Sequence, residues 1–341
     1  MANIASSVDA IARASGFSGV VRVDRGDETD ETEVDAAYGL AHRAREVPNS
    51  VDTQFALASG TKGLTALAVV SLIADSTLDL ATPARSLLGD DLPLVGDDVT
   101  VEHLLAHRSG IGDYADEDAG LDVDTYELPV PAANLTSTEA YLAALDGYPP
   151  KFVPDERFAY CNSGYVVLAL IAERAARRPF ADLVRDRVCT PAGMGATAFL
   201  RLDALPARAA TGYVDDGSHT NESRLAVVGS GDGGIFSTAA DIAALWRAFI
   251  AGRIVTHEWV SEMLRPRSDV PSVKMRYGLG FWLHATQDVV MLEGCDAGVS
   301  FRSVHDPAAA LTHTVISNTT DGAWPITRHL DELFSHGRDP R

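Results

Sequence analysis

Ser59 and Lys62 stand three residues apart in "FALASGTKGLTALAVVSLIADSTLDL", a stretch that opens on small residues and continues as a long apolar run. Lysine is scarce in this chain: there are three, at positions 62, 151 and 274, against 25 arginines. A lysine on a helix that reads as buried therefore needs a chemical reason. Residues i and i+3 share a helix face, so the Lys62 amine reaches the Ser59 hydroxyl. A serine hydroxyl is a weak nucleophile and needs an adjacent base. Apolar neighbours strip water from an amine and favour its neutral form, whereas a guanidinium stays charged. Of the two cations, only lysine can move a proton here. Ser59 is expected in the first helical turn, where unpaired N–H groups and the helix dipole favour developing negative charge.

S-x-x-K alone is a weak signal, because only two positions of four are fixed. A second pair strengthens it. "PDERFAYCNSGYVVLALIAE" places Tyr160 and Asn162 two residues apart, directly before a strongly apolar helix. A phenol titrates near ~10, and an adjacent lysine cation lowers that value and turns the phenol into a base. An amide two residues on can hold a substrate carbonyl and bond the lysine, and it also suits a helix N-cap.

These residues need a scaffold, and the pattern of the chain supplies one. Residues 5–15 read as an amphipathic helix closed by Gly16. "FSGVVRVDRGD" and "EVDAAYGLAHRA" read as strands, with Gly39 at a hairpin or bulge. From 79 to about 225 helical segments alternate with Pro, Gly and Asp-rich connectors: "TVEHLLAHRSG", "TSTEAYLAALDG" and "NSGYVVLALIAERAARRPFADLVRDRV". "STAADIAALWRAFIAG" is a capped helix with Ser237 or Thr238 as N-cap and Gly252 at its end. Strands return in "YGLGFWLHAT", "DVVMLEGCDAGVSFRSVHD" and "AALTHTVISNT", and "WPITRHLDELFSHG" is a last helix. "GDETDETEVD" reads as a solvated acidic turn. Strands at both ends with helices between them predict one sheet whose first and last strands meet.

The chain resembles the serine β-lactamase-like family: class C β-lactamases, D,D-peptidases, D-aminopeptidases and related esterases. "ASGTKGLTA" resembles its nucleophile motif, "YCN" its Tyr-x-Asn motif and "LLAHRSGIGDY" its Leu-Leu-x-His-x-Ser-Gly segment. "PAGMGATAF", "GDGGIFSTAADIAAL", "GCDAGVSFRS" and "DPAAALTHTVISNT" resemble further signatures, all in the family's order, over roughly residues 30 to 325. The resemblance implies an α+β, transpeptidase-like fold: an antiparallel sheet flanked by helices with an inserted, mostly helical lobe. One domain over 1–341 is expected, with an α/β lobe at about 1–78 and 226–341 and a helical lobe at about 79–225. It also implies roles. Ser59 is the acylated nucleophile, and Lys62 and Tyr160 relay the proton. Asn162 contacts substrate and lysine, and the backbone N–H groups of Ser59 and Cys295 form the oxyanion hole.

One motif departs from the family. Where it reads Lys- or His-Thr-Gly, with the cation meeting a substrate carboxylate, this chain has Leu292-Glu293-Gly294. Gly294 suits a strand that substrate must approach closely. The change disfavours β-lactams and D,D-peptides and favours small carboxylic esters. D-amino-acid peptides or amides, β-lactam hydrolysis, acyl transfer onto a natural product and a non-catalytic scaffold stay open as alternatives. Side chains alternate along a strand, so Glu293 and Cys295 share one side and Leu292 and Gly294 the other. If the first side faces the cleft, a substrate carboxylate about 5 Å away meets roughly 3 kcal/mol of repulsion at an effective dielectric of ~20.

Bulk properties exclude other classes. The 341 residues carry a formal net charge of −20 and are 46% hydrophobic. Nucleic acids and anionic membranes need clustered Lys and Arg, so neither is an expected partner. "MANIASSVDAIARASGFSGVVRVDRGD" lacks the pattern of a secretory signal, and no run approaches the ~18 apolar residues of a span. Cys161, Cys189 and Cys295 are odd in number and widely spaced, as free thiols in a reducing compartment are. A cytoplasmic enzyme without metal or organic cofactor is expected, and homo-oligomerisation is left open. His103 and His107, at i and i+4, could ligate a metal by spacing; the resemblance makes them structural. Trp246, Trp259, Trp282 and Trp324 are expected in the core or the cleft wall, and Cys161 and Cys295 at the border of the site.

Overall fold

The structure, a computed structural model, describes residues 4–26, 31–214 and 219–335. Part of the acidic turn expected at 26–35 lies outside them. The frame is an eight-stranded antiparallel sheet. Its strands are β1 (Gly19–Arg25), β2 (Glu31–Tyr38), β3 (Ser268–Val270), β4 (Met275–Tyr277), β5 (Trp282–His284), β6 (Val290–Asp296), β7 (Val299–Asp306) and β8 (Leu311–Ser317). They lie in the order β3-β4-β5-β6-β7-β8-β1-β2. The first strand of the chain thus meets the last, with Gly19 opposite Ser317 and Arg25 opposite Leu311.

Both faces are covered. Helices α1 (Ile4–Ser15) and α5 (Trp324–Phe334) pack on one face, against Val21, Val23, Leu311 and Val315. On the other lie α2 (Thr61–Ala74), α3 (Asn162–Ala176) and α4 (Ala239–Ile250), in one core with Val20, Leu292, Phe301 and Ile316. Coverage on both sides explains why β8 is buried at all seven residues. In α2, 13 of 14 residues are buried, the pattern of a helix that is apolar all round.

Several elements differ from the sequence reading. "EVDAAYGLAHRA" breaks at Gly39, whose φ of +69° ends β2 and turns Leu40–His42 into a separate two-stranded sheet with Val47–Pro48. "YGLGFWLHAT" is split by Gly280 (φ +88°) into β4 and β5. The long helix expected from Asn162 stops at Arg177, which adopts φ +52°, and a second helix starts at Phe180 after Pro179. Of the two candidate N-caps of α4, Thr238 is the one used: its Oγ1 accepts from the Asp241 N–H at 3.1 Å. The stretch 79–225 is not wholly helical. Ala198–Phe199 pairs with Ile235–Ser237, which pairs with Phe55–Ala56 and so anchors the strand leading into Ser59. Helix His257–Met263 and strand β3 escaped the sequence reading.

Candidate active site

Ser59 lies one step before the position expected for it. It sits in a single 3-10 turn, Ala58–Gly60, and α2 begins at Thr61. Ala58 adopts φ +46°, the left-handed region that costs a residue with a Cβ energy and that marks many functional turns. The turn is pinned by Thr61, whose Oγ1 donates to Ala58 O at 2.7 Å and accepts from the Ile235 N–H at 3.2 Å.

Lys62 is 1% exposed. Its Nζ donates to Ser59 Oγ at 2.9 Å, Asn162 Oδ1 at 2.8 Å and the Asp232 carbonyl at 2.9 Å. Three acceptors match the three donors of the amine, so its position is fixed. Asn162 is the first residue of α3, not its cap. Cys161 is the N-cap, and Asp113 takes the N–H groups of Asn162 at 2.8 Å and Ser163 at 2.9 Å. The Asn162 Nδ2 donates to Ala115 O at 2.8 Å, which turns its oxygen toward Lys62.

The Tyr160 ring is sandwiched. Trp282 stacks on it at 6.1 Å and 9°, and His107 lies 4.3 Å away. Lys62 Nζ is 4.9 Å from the ring centre. Burial, then Glu117, push the phenol pKa well above its ordinary value, and the nearby Ser59 hydroxyl only opposes this. Against the expectation of a lysine-lowered phenol, the direction here is upward, set first by desolvation. His107 is buried, and desolvation with Lys62 nearby pushes its pKa well below the usual range. Its Nδ1 accepts from the Cys161 N–H at 3.1 Å, so a neutral ring props the Tyr160–Asn162 segment from below. His103 completes a capping box with Thr100. Among the described residues, no group of three or more His, Cys, Asp or Glu is placed to hold a metal ion.

Strand β6 closes the site. A Cβ on Gly294 would sit 2.2 Å from Leu57 O and 2.8 Å from Ser59 N, and a Cβ on Gly63 would sit 2.4 Å from Leu292. Leu292 and Gly294 thus face the nucleophile turn and α2, and Glu293 and Cys295 the opposite side. A two-residue turn at Ala297–Gly298 joins β6 to β7 with Asp296 opposite Val299. In such a hairpin Asp296, Gly294 and Leu292 exchange the inter-strand bonds, so the N–H groups of Cys295 and Glu293 face away from β7. Pairing of β6 with β5 reaches only Met291. The Cys295 N–H therefore opens onto the cleft beside Ser59.

Glu293 lines that cleft, but not as a bare charge. It lies opposite Arg302 on β7, whose Nε donates to Glu293 Oε2 at 2.5 Å. The other end of the guanidinium donates to Asp331 Oδ2 at 2.5 Å. The repulsion of about 3 kcal/mol inferred for an uncompensated Glu293 does not apply, because its partner cation is in contact. Cys295 Sγ lies 3.6 Å from Thr320 O, and burial pushes its thiol up to about 12. Burial raises Cys161 as well. Burial of this kind disfavours the thiolate, the reactive form of a cysteine.

Two spaces meet at Ser59. One is a largely apolar cavity of about 110 Å³, walled by Leu121, Leu128, Tyr141, Leu200, Leu225 and Phe236. Three carboxyls, Glu117, Asp232 and Asp296, reach it. Asp296 is raised to about 7, mainly by burial. The other is a wider and more open groove that passes Tyr160, Trp282, Glu293 and Trp324.

Sequence reasoning missed Asp113, Glu117, Asp232, Asp296, Arg302 and Asp331. Arg302 was within reach: counting back from the "DAG" turn puts it opposite Glu293. Asp232 acts through its backbone carbonyl, which no residue type announces.

The Beta-lactamase family profile matches residues 7–336. Penicillin-binding protein 4* of Bacillus subtilis (strain 168) is 32% identical over 184 residues, 53% of this chain and 39% of that protein. Esterase EstB of Burkholderia gladioli is 35% identical over 185 residues, 52% of this chain and 46% of that protein. This chain thus spans less than half the length of these two relatives. The crystal structure of a penicillin binding protein from Bacillus halodurans superposes with a TM-score of 0.89 at 32% identity, covering 96% of this chain and all of that one. With a match over nearly its whole length, and a serine and lysine bonded where the sheet meets its central helix, the chain belongs to the Beta-lactamase family.

Proposed function

We propose that the protein is a serine hydrolase that cleaves small carboxylic esters through an acyl-Ser59 intermediate. The observation that carries this reading is the 2.9 Å bond between Lys62 Nζ and Ser59 Oγ, which joins a buried amine to a hydroxyl on the cleft. In its neutral form Lys62 turns a lone pair to Ser59, so that the hydroxyl donates to the amine, and Ser59 Oγ attacks the ester carbon as its proton passes to Lys62. The oxygen that becomes negative is held by the N–H groups of Ser59 and Cys295, an arrangement worth about 3–4 kcal/mol per donor. Tyr160, half-buried at the groove and with its phenol held above the ordinary range by desolvation, is suited to the acid half of the relay. It protonates the departing alkoxide and is recharged from Lys62. Water then attacks the acyl-enzyme with the roles reversed. Asn162 holds Lys62 and offers its amide to the substrate, and Gly294 lets substrate lie against the strand.

The ester reading rests on the loss of the motif cation at Leu292 and on the likeness to Esterase EstB. A D-amino-acid amide or peptide is the second reading, because Glu117, Asp118 and Asp269 line the groove and suit an ammonium group. β-Lactam hydrolysis, acyl transfer and a non-catalytic scaffold rank behind it. A cytoplasmic setting with no cofactor belongs to the same proposal. No helix among the described residues is long and apolar enough to cross a membrane. The test is fluorophosphonate labelling with site mapping, followed by turnover of p-nitrophenyl esters, D-alanine p-nitroanilide and nitrocefin. Labelling at Ser59 that Ser59→Ala removes, with ester turnover leading, is the expected result. Label on a cysteine, or amide turnover ahead of ester, overturns it.

A further inference from the structure

We propose that Glu293 and Arg302 form a self-occupied carboxylate subsite: the chain's own carboxylate fills the place where one on a substrate's leaving group would bind. This rests on the hydrolase reading above. The Nε and Nη2 of Arg302 both reach Glu293 Oε2, while Nη1 holds Asp331. The Nε–Nη2 edge is the fork that grips carboxylates in a two-point fashion. Arg302 is 9% exposed, Trp324 lies 5.8 Å from its guanidinium, and Glu293 and Trp324 both line the groove. Glu293 lines the same groove as Ser59, and Asp331 does not.

Two acids, Glu293 and Asp331, bond the one guanidinium, and His313 Nε2 lies 3.9 Å from Asp331 Oδ1. The acyl group stays on Ser59 after the first step, whereas the leaving group must depart. The apolar cavity suits the first and the more open groove the second. A leaving group therefore passes Glu293. If it carries a carboxylate, it finds the guanidinium fork taken by a group tethered to the strand, which it cannot outcompete. Removing the Glu293 side chain leaves Arg302 bonded to Asp331 and opens its fork to the groove. No buried charge is stranded by that change.

The experiment compares two aryl esters of one acyl group, with 3-hydroxybenzoate or 3-hydroxybenzamide as leaving group. The wild type prefers the carboxamide. Glu293→Ala raises kcat/KM for the carboxylate ester by about ten- to a hundredfold, the scale of one charge-assisted pair, and high salt shrinks the gain. The carboxamide ester stays within about threefold. Glu293→Gln gives no gain, because its carbonyl oxygen still accepts from Arg302. Simple repulsion by Glu293 predicts equal gains for Gln and Ala, and that outcome overturns the proposal. So does a folded Glu293→Ala with no gain. Glu293→Ser serves in its place if the alanine variant does not fold. Calorimetric titration with benzoate repeats the test without turnover: binding is expected in Glu293→Ala and absent from wild type and Glu293→Gln. Loss of all ester turnover and labelling in wild type defeats the hydrolase reading alone.

Discussion

Gly294→Ala probes how tightly the nucleophile turn is pressed against β6. The new methyl would lie 2.2 Å from the Leu57 carbonyl and 2.8 Å from the Ser59 nitrogen. Both are backbone atoms, so no side chain can rotate away. Contacts under 3.0 Å do not occur for real Cβ atoms, and restoring an ordinary one moves β6 off the turn by about 1 Å. On the mechanism proposed above, the Cys295 N–H moves with it and no longer shares the oxyanion with the Ser59 N–H. Loss of one such donor costs about 10²–10³ in kcat, and a 1 Å misplacement alone about 10². The assay is kcat and KM on a neutral aryl ester, with fluorophosphonate labelling and Tm measured on the same sample. Expected are a kcat reduced by about a hundredfold or more, a KM changed far less and a cooperative melt. A variant that melts normally and keeps kcat within about threefold would refute the placement of Cys295 in the oxyanion hole.

Lys62→Arg should lose about 10²–10⁴ in kcat, near the loss in Lys62→Ala, because the fork neither fits the three acceptors nor gives up a proton. Retained activity would make Lys62 an anchor and not a proton carrier. Asp296, raised to about 7, is neutral below that pH and charged above it. An apolar acyl group deepens its burial and so favours the protonated form. KM for such esters should be flat below about pH 7 and climb by up to about tenfold per pH unit above it. Asp296→Asn should flatten the profile, and a climb that persists in that variant would place the titrating group elsewhere.

What the sequence disclosed was what is local. Ser59 and Lys62 meet because a helical turn brings i to i+3, and the Tyr160–Asn162 pair because a cap holds it at the start of α3. The sheet was legible where strands are long: β1, β6, β7 and β8 run seven or eight residues, whereas β3 and β4 run three, too short for an alternation to register. Ionisation was misread where burial decides it. The pair pattern suggested that Lys62 would depress Tyr160, but the rings of Trp282 and His107 set the dielectric around the phenol, and neither is near it in sequence. Glu293 was misread for the same reason, since its partner is fixed by hairpin register and not by spacing.

The pairing of β1 with β8 has a consequence for how the protein comes to exist. Its contacts join Gly19 to Ser317, so the sheet cannot close until synthesis has passed Ser317. Meanwhile α2 has left the ribosome with a surface that only later residues cover: Gly63 waits for Leu292, and Ala66 for Gly280. At roughly 5–20 residues per second that interval lasts about ten to fifty seconds. Such long-range pairing is slow to form, and an uncovered apolar helix invites association in the interim. The helix that carries Lys62 is thus a segment exposed to misassembly. Yield of active enzyme should fall with faster synthesis and recover with chaperones, with no change in the stability of molecules that have folded.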